Sequence, residues 1–557
     1  LWFIEGEVPA GQEIEIRKSD GTTALTYQQI DDICHNHPDG SMNFAVARFI
    51  QENDVSGSAS TTFKIGKTAN SVASDVSGIT DQNIKDLNYT VEVVSGGTTY
   101  TLDIDEAFTA SDVENFPGAA VREIYAWGLA KNAGTPNQAI LVQVWLGLMR
   151  DGTTAYGDAR VVSNWDENYS VRNCAGTGSC TAWRIKKNGS TVKEYTHAGY
   201  NMAGGVAVDV CDTDCLELWS TNKPTLRAVP NYVRMSSARL VPYMPVPAGI
   251  ESAFAAPTTS DYAPLTLFGT RADLDGGGAA YDIGPLPGWA CRALVTETAN
   301  DQKHALLTAL ATNGIQKNFF SSAHGYPVVA RGSTYGSIVG NNGISVLDSS
   351  AGALTYAAGS SPYTAQNVYH WPNTPYWAYI STGRRKFFMS TFVDANQAVL
   401  GMGSENRAQS HANGDSQTSV IRFDGGPLGW AWGLRNIGNA RFVCYDAHPL
   451  HDYIENVYDD NIAWATSFMM AAILPDEAEA LGVPTPMISK ISGGLTERWI
   501  MFAYCAVVTG WEALRGSYAA SDKWVTEAVE KCFFGVSGAS GCPYNQALYT
   551  INFSHQN

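Results

Sequence analysis

The hydrophobic period changes once along this chain, from two to 3.6, and that change limits the folds open to it. Up to about residue 245, apolar and polar residues alternate in short runs, as in Ile14–Arg17, Tyr89–Val94 and Ile140–Trp145. Alternation sends successive side chains to opposite faces of a strand. Turn residues punctuate the runs, notably Ser95-Gly96-Gly97 and Lys187-Asn188-Gly189, whose Gly and Asn accept the left-handed backbone of tight hairpins. Many short strands predict a β-sandwich or barrel-like region over 1–245, with room for two subdomains. One helix is predicted over Asp105–Asn115, ending before Pro117.

Prolines 242, 245, 247, 257 and 264 then fall among small residues, and 246–264 reads as a linker. Beyond it apolar residues recur at i, i+3 and i+4. That spacing predicts helices over Pro287–Thr298, Gln302–Asn313, Tyr376–Thr391, Gly429–Tyr445, Pro449–Ala471 and Leu495–Trp511. The spacers 321–363 and 403–426 are long and rich in Gly and Ser, as functional loops often are. Helix pairs in succession suit an α/α toroid over 265–557. The expected fold is multidomain β plus α, a sandwich- or barrel-like region followed by that toroid.

The formal charge of −18 repels phosphate backbones, which argues against a nucleic-acid partner. No apolar run approaches the ~20 residues that span a bilayer. The chain opens on Leu1-Trp2-Phe3 without Met or a basic leader, the expectation for a mature product whose signal peptide has been removed. Three Cys pairs at short spacing, Cys174/Cys180, Cys211/Cys215 and Cys532/Cys542, read as disulfide staples of an oxidising compartment. Cys34, Cys291, Cys444 and Cys505 lie in apolar patterns and read as core. Sequons at Asn88, Asn168, Asn188 and Asn552 are compatible with an extracellular or surface location. No zinc spacing occurs, and no cofactor is implied. The acidic Gly-rich stretch Arg271–Gly278 is a candidate structural Ca²⁺ loop, though it lacks the EF-hand ligand pattern and reads first as a solvated loop. Neither a phosphate loop nor a Gly-x-Ser-x-Gly elbow is present.

Two sets of motifs carry a resemblance. His37-Pro38-Asp39-Gly40-Ser41-Met42-Asn43-Phe44-Ala45-Val46-Ala47-Arg48-Phe49 is a Pro-Asp-Gly turn feeding a strand that alternates inward and outward. It resembles the N-terminal β domain of exo-rhamnogalacturonan-lyase-like proteins, with His37 where that pattern has Trp. The second half is similar to toroid proteins, bacterial and phage-associated, that are related to polysaccharide lyases. Four stretches carry this: Tyr281–Trp289, His370-Trp371-Pro372 with Tyr376–Gly383, Gly429–Arg435, and His448-Pro449-Leu450 leading to Asn461–Trp464. Leu428 stands where the pattern often has Arg, and Arg384 where it has an acidic residue. The resemblance implies a polysaccharide partner.

Lyase chemistry needs a group that neutralises a uronate carboxylate, and a base and an acid near working pH. The catalytic candidates are His370, Tyr376, Tyr379, Arg435 and His324. In a helix, Tyr376 and Tyr379 share one face beside His370, and Arg435 lies near the ring of Trp432. The substrate-binding candidates are Trp371, Trp432, Arg331, His411, Asp282 and His448. Each also has a structural reading; His448-Pro449 is a natural helix start. A hydrolase would instead pair carboxylates from Asp282, Glu405, Asp415 and Asp446. Two further alternatives stand: a catalytically inactive structural protein, such as a phage tail component or a filament-forming homo-oligomer, and a glycan-binding adhesin.

Overall fold

The computed structural model describes residues 1–50, 62–68, 79–150, 155–163, 179–200, 207–211, 231–242, 288–314, 373–400 and 427–473, with parts of 286–329 and 508–516. It is a β-rich N-terminal part followed by helices. Strands β1 (Glu13–Arg17) and β4 (Lys64–Thr68) form one two-stranded sheet, and β2 (Gln28–Cys34) and β3 (Phe44–Phe49) another. A nine-stranded antiparallel sheet comprises β5 (Tyr89–Ser95), β6 (Thr98–Asp103), β7 (Val113–Phe116), β8 (Val121–Asn132), β9 (Thr135–Met149), β10 (Ala155–Ser163), β11 (Cys180–Lys187), β12 (Ser190–Tyr200) and β13 (Ala207–Cys211). Its order is β12-β11-β5-β6-β8-β9-β10-β13, with β7 on β8.

Three of its hairpins close on two residues that both take positive φ: Gly96-Gly97 (57°, 79°), Ala133-Gly134 (47°, 80°) and Asn188-Gly189 (48°, 73°). Such turns match the right-handed twist of the flanking strands. The sheet curls into a nearly closed barrel, and β13 comes against β11 and β12. Gly157 of β10 records the closure, since a Cβ there would run into the hydroxyl of Tyr89, on the non-adjacent strand β5. The inner face is apolar throughout: Ile124, Ala126, Val142, Val144, Leu146, Ala159, Val161 and Val208 bury against Tyr89, Val91, Trp183 and Ile185.

The helical part supplies α4 (Gly288–Thr296), α5 (Ala299–Ala311), α6 (Thr374–Thr382), α7 (Arg385–Leu400), α8 (Pro427–Val443) and α9 (His451–Ile473), after the short α1 (Asp81–Lys85), α2 (Ile104–Ala110) and α3 (Tyr232–Ser237). From α4 to α9 each helix packs on its neighbours in chain order. Pro375 opens α6 and Gly383 (φ +65°) closes it. The expected 105–115 helix is shorter. Ser111 turns left-handed (φ +62°), and Val113–Phe116 joins the sheet as β7.

The helices lie on the outer face of the curled sheet. Tyr125, Trp127, Leu141, Trp145, Val162 and Ala207 alternate with the barrel-lining residues and join one core with Trp289, Leu306, Trp377, Phe388, Trp432 and Ile437. Phe44 and Val46 of β3 enter the same core. At ~25 cal/mol per Å² this shared burial is a main source of cohesion between the two layers. Among the described residues Cys34, Cys180, Cys291 and Cys444 are free thiols, so Cys180 is unpaired in the structure. Cys174, Cys215, Cys505, Cys532 and Cys542, and the segments 246–264 and 271–278, lie outside the described residues. No described helix is long and apolar enough to cross a membrane.

Candidate functional site

Helix α7 organises the polar chemistry of the molecule. Near its start, Arg385 is fully enclosed between layers. Its Nε and Nη2 donate to Asp32 Oδ1 (3.0 and 2.8 Å), and Nη1 donates to Glu123 Oε1 (2.8 Å). The guanidinium also lies 3.6 Å from the Phe116 ring. Arg48 pairs with Asp31 (2.6 Å) and Glu123 (3.1 Å), and Tyr156 donates to Glu123 (2.6 Å). Despite its burial Glu123 is held down at about 2, chiefly by the charges of Arg48 and Arg385. Asp32 takes a left-handed backbone (φ +47°) at an irregularity in the β2–β3 ladder. The kinked residue is the one whose carboxylate meets Arg385 of α7.

The expected catalytic tyrosines belong to this seam. Tyr379 is fully buried and its hydroxyl donates to Asp32 Oδ2 (3.1 Å). Tyr376, also fully buried, donates to the Leu240 carbonyl and accepts from Arg515 Nη2 (3.1 Å). Burial pushes both phenols above their usual range, the reverse of what a catalytic base needs. His448 is enclosed by Tyr445, Phe388, Tyr326 and Phe392, with ring centroids 4.9–5.7 Å away. Its Nδ1 accepts from the Leu450 amide (3.1 Å) at the start of α9, and burial lowers its pKa to about 3. It is thus a neutral helix-start residue. His324, half-buried, sits on the turn Ser321–Tyr326 that rests on the sheet through Gly325. Trp432 and Arg435 are buried together, the guanidinium 4.6 Å from the ring. Asp446 is exposed and pairs with His35 (2.6 Å). His370, Trp371, Arg331, His411, Asp282, Glu405 and Asp415 lie outside the described residues.

A second polar group collects at the other end of α7. Helices α6 and α7 are joined only by Gly383-Arg384 and pack on each other. Both side-chain polar atoms of Asn373 are buried without a hydrogen-bond partner, as are both of Gln397, Thr374 Oγ1 and Asp394 Oδ2. The other Asp394 oxygen pairs with Lys317, and Arg435 is close enough to favour the charged carboxylate. Burial drives Lys317 and Asp394 toward their neutral forms. Buried groups left unpaired cost about 1–3 kcal/mol each. Unpaired buried groups of this kind call for an explanation, of which an unfilled polar site is one.

Of these groups only Arg435 was expected from sequence. Asn373 was missed although it follows His370-Trp371-Pro372 directly. Lys317 and Asp394, 77 residues apart, carry no sequence signal of their pairing. Among the described residues no cluster of His, Cys, Asp and Glu is arranged to hold a metal. Compared with known proteins, the chain matches no family model, no curated protein and no solved structure.

Proposed function

We propose that this chain is an extracellular carbohydrate-active protein that handles an acidic or decorated polysaccharide, in the manner of a lyase, at the polar end of its helical layer. One observation carries the reading: Asp394 keeps a buried, unpartnered oxygen near Arg435, on the helix that also holds the unpartnered amide of Gln397. Amides and a guanidinium are the groups that neutralise a uronate carboxylate. The packing of α4 to α9 on their neighbours in chain order is in keeping with an α/α toroid. His370 and Trp371 precede α6 directly in the chain, which favours them as additional groups there.

The test is absorbance of unsaturated uronates during incubation with a panel of polyuronides. A rise is expected, strongly reduced in Asn373→Ala and Gln397→Ala but retained in Tyr379→Phe. New reducing ends without absorbance would point to a hydrolase. A second reading, a catalytically inactive structural or glycan-binding surface protein, is favoured by the engagement of Tyr376 and Tyr379 in the seam. It is selected if no product forms, and large particles in light scattering would then indicate a filament.

A further inference from the structure

Lys317 Nζ meets Asp394 Oδ1 between α7 and the turn after α5, and the two side chains are only 2% and 0% exposed. Both positions are fixed by their surroundings. Asn318 Nδ2 donates to the Asn313 carbonyl (2.9 Å) and Asn313 Nδ2 to Asp209, which ties the turn carrying Lys317 to β13. Asp394 lies inside α7, one turn after Ser390, whose hydroxyl accepts from Arg160 Nη2 (2.7 Å). Arg160 is completely buried, and its Nε donates to Asp209 (2.8 Å).

In water an ammonium and a carboxylate both stay charged. Enclosure penalises the charged forms and favours a neutral amine beside a carboxylic acid. Burial is the main force on each group, lowering the pKa of Lys317 and raising that of Asp394, and the charge of Arg160 presses Lys317 the same way. A neutral amine is a nucleophile, and the carbon of a protonated carboxyl can accept it. Because Nζ touches one carboxyl oxygen, it stands no more than one C–O bond further from the carbon, a near-attack separation. Asp394 Oδ2 has no hydrogen-bond partner, nor has Arg160 Nη1. Arg160 and Arg435 are both near enough to favour negative charge on Asp394, so an oxyanion forming there is stabilised.

We propose that Lys317 and Asp394 condense into an intramolecular isopeptide bond. The Lys317 lone pair forms the Nζ–Cγ bond, an amine proton passes to the departing carboxyl oxygen, the C–O bond breaks and one water leaves. No oxidant or reductant is required, and exclusion of water from the site disfavours hydrolysis. The bond joins residues 77 apart in sequence and fastens α7 to the chain beyond α5, restricting the unfolded state as a disulfide does. It belongs to the chain's own covalent structure and does not depend on the glycan reading.

The mass of the whole chain, reduced and denatured, tests this. Wild type should be lighter than its sequence requires by one water, and a tryptic digest should hold one peptide pair joined through residues 317 and 394. Lys317→Arg, which keeps a cation but offers no primary amine, should have the full sequence mass. The joined peptides decide the matter even if that variant fails to fold. Wild type at full mass after prolonged incubation in the folded state, or a loss of water that persists in Lys317→Arg or maps elsewhere, overturns the proposal.

Discussion

The two faces of β8, β9, β10 and β13 are both buried, yet they are built differently. The face turned into the barrel carries Ile124, Ala126, Val142, Val144, Leu146, Val161 and Val208 and not one charge. The face turned to the helices mixes aromatic rings with Glu123, Gln143, Asp158, Arg160 and Asp209. Strand pairing already fixes the register inside a barrel, so apolar packing suffices there. A helix lying on a sheet can slide or rotate at little cost in apolar contact. Opposed charges that must meet partners on a particular turn forbid those alternatives, as Arg385 does by reaching Asp32 and Glu123 together. The difference suggests that the inner face supplies stability and the outer face specifies one docking of helices on sheet.

Arg385→Ala should give the largest loss. It leaves Asp32 without its cation between the layers and Glu123 with Arg48 alone, and about 3–5 kcal/mol is expected, read as a large fall in the denaturation midpoint. The double variant Asp32→Asn, Arg385→Met removes the stranded charge, keeps Glu123 for Arg48, and should recover most of that loss. Failure to recover would mean that the seam supplies stability as well as alignment, and the contrast between faces would be broken. On the inner face, Leu146→Ala should cost about 3 kcal/mol by opening a cavity, with no partner variant able to restore it.

This contrast also explains what the sequence could and could not reveal. Period two is visible in β1, β5 and β9, and period 3.6 in α4 to α9, because each is local. The turns Gly96-Gly97 and Asn188-Gly189 are equally local. Glu123, Gln143 and Arg160 sit at alternate positions of their strands, where a polar residue looks solvated. Only the helices that cover them make them buried. Asp32, which meets Arg385, stands at a left-handed kink that no propensity signals. The Trp432–Arg435 contact was legible from its i, i+3 spacing, whereas Lys317–Asp394 was not. Tyr376, Tyr379 and His448 have residue types suited to catalysis, and their engagement in packing follows from partners far away in the chain.

His448 sharpens the comparison through pH. Its folded pKa of about 3 lies below the ordinary 6.5, so the unfolded chain binds the proton more tightly. Stability on this account is complete above pH 6.5 and is lost as pH falls toward 3, about 2 kcal/mol by pH 5. His448→Phe fits the surrounding rings but gives up the Leu450 amide. It should cost about 1 kcal/mol at pH 7.5 and flatten the acid limb of a midpoint-versus-pH curve. An unchanged acid limb would show that His448 is hydrated and reachable, as its expected substrate-binding role requires.

The smallest effect should come from an ion pair of the same chemistry placed in water. Arg184 Nε and Glu194 Oε1 meet at 2.6 Å across β11 and β12, with side chains 29% and 38% exposed. Solvent screens the attraction and both side chains lose freedom in holding it, so Arg184→Ala should change the denaturation midpoint by no more than about 0.5 kcal/mol. The Arg385 seam has comparable donor–acceptor distances, 2.8–3.0 Å, but is enclosed and engages two carboxylates through three bonds. Measured side by side, the two variants show how much an enclosed, multiply bonded guanidinium adds over an exposed pair. If Arg184→Ala cost as much as Arg385→Ala, charge pairing itself would be stabilising this protein, and enclosure between the layers would explain nothing.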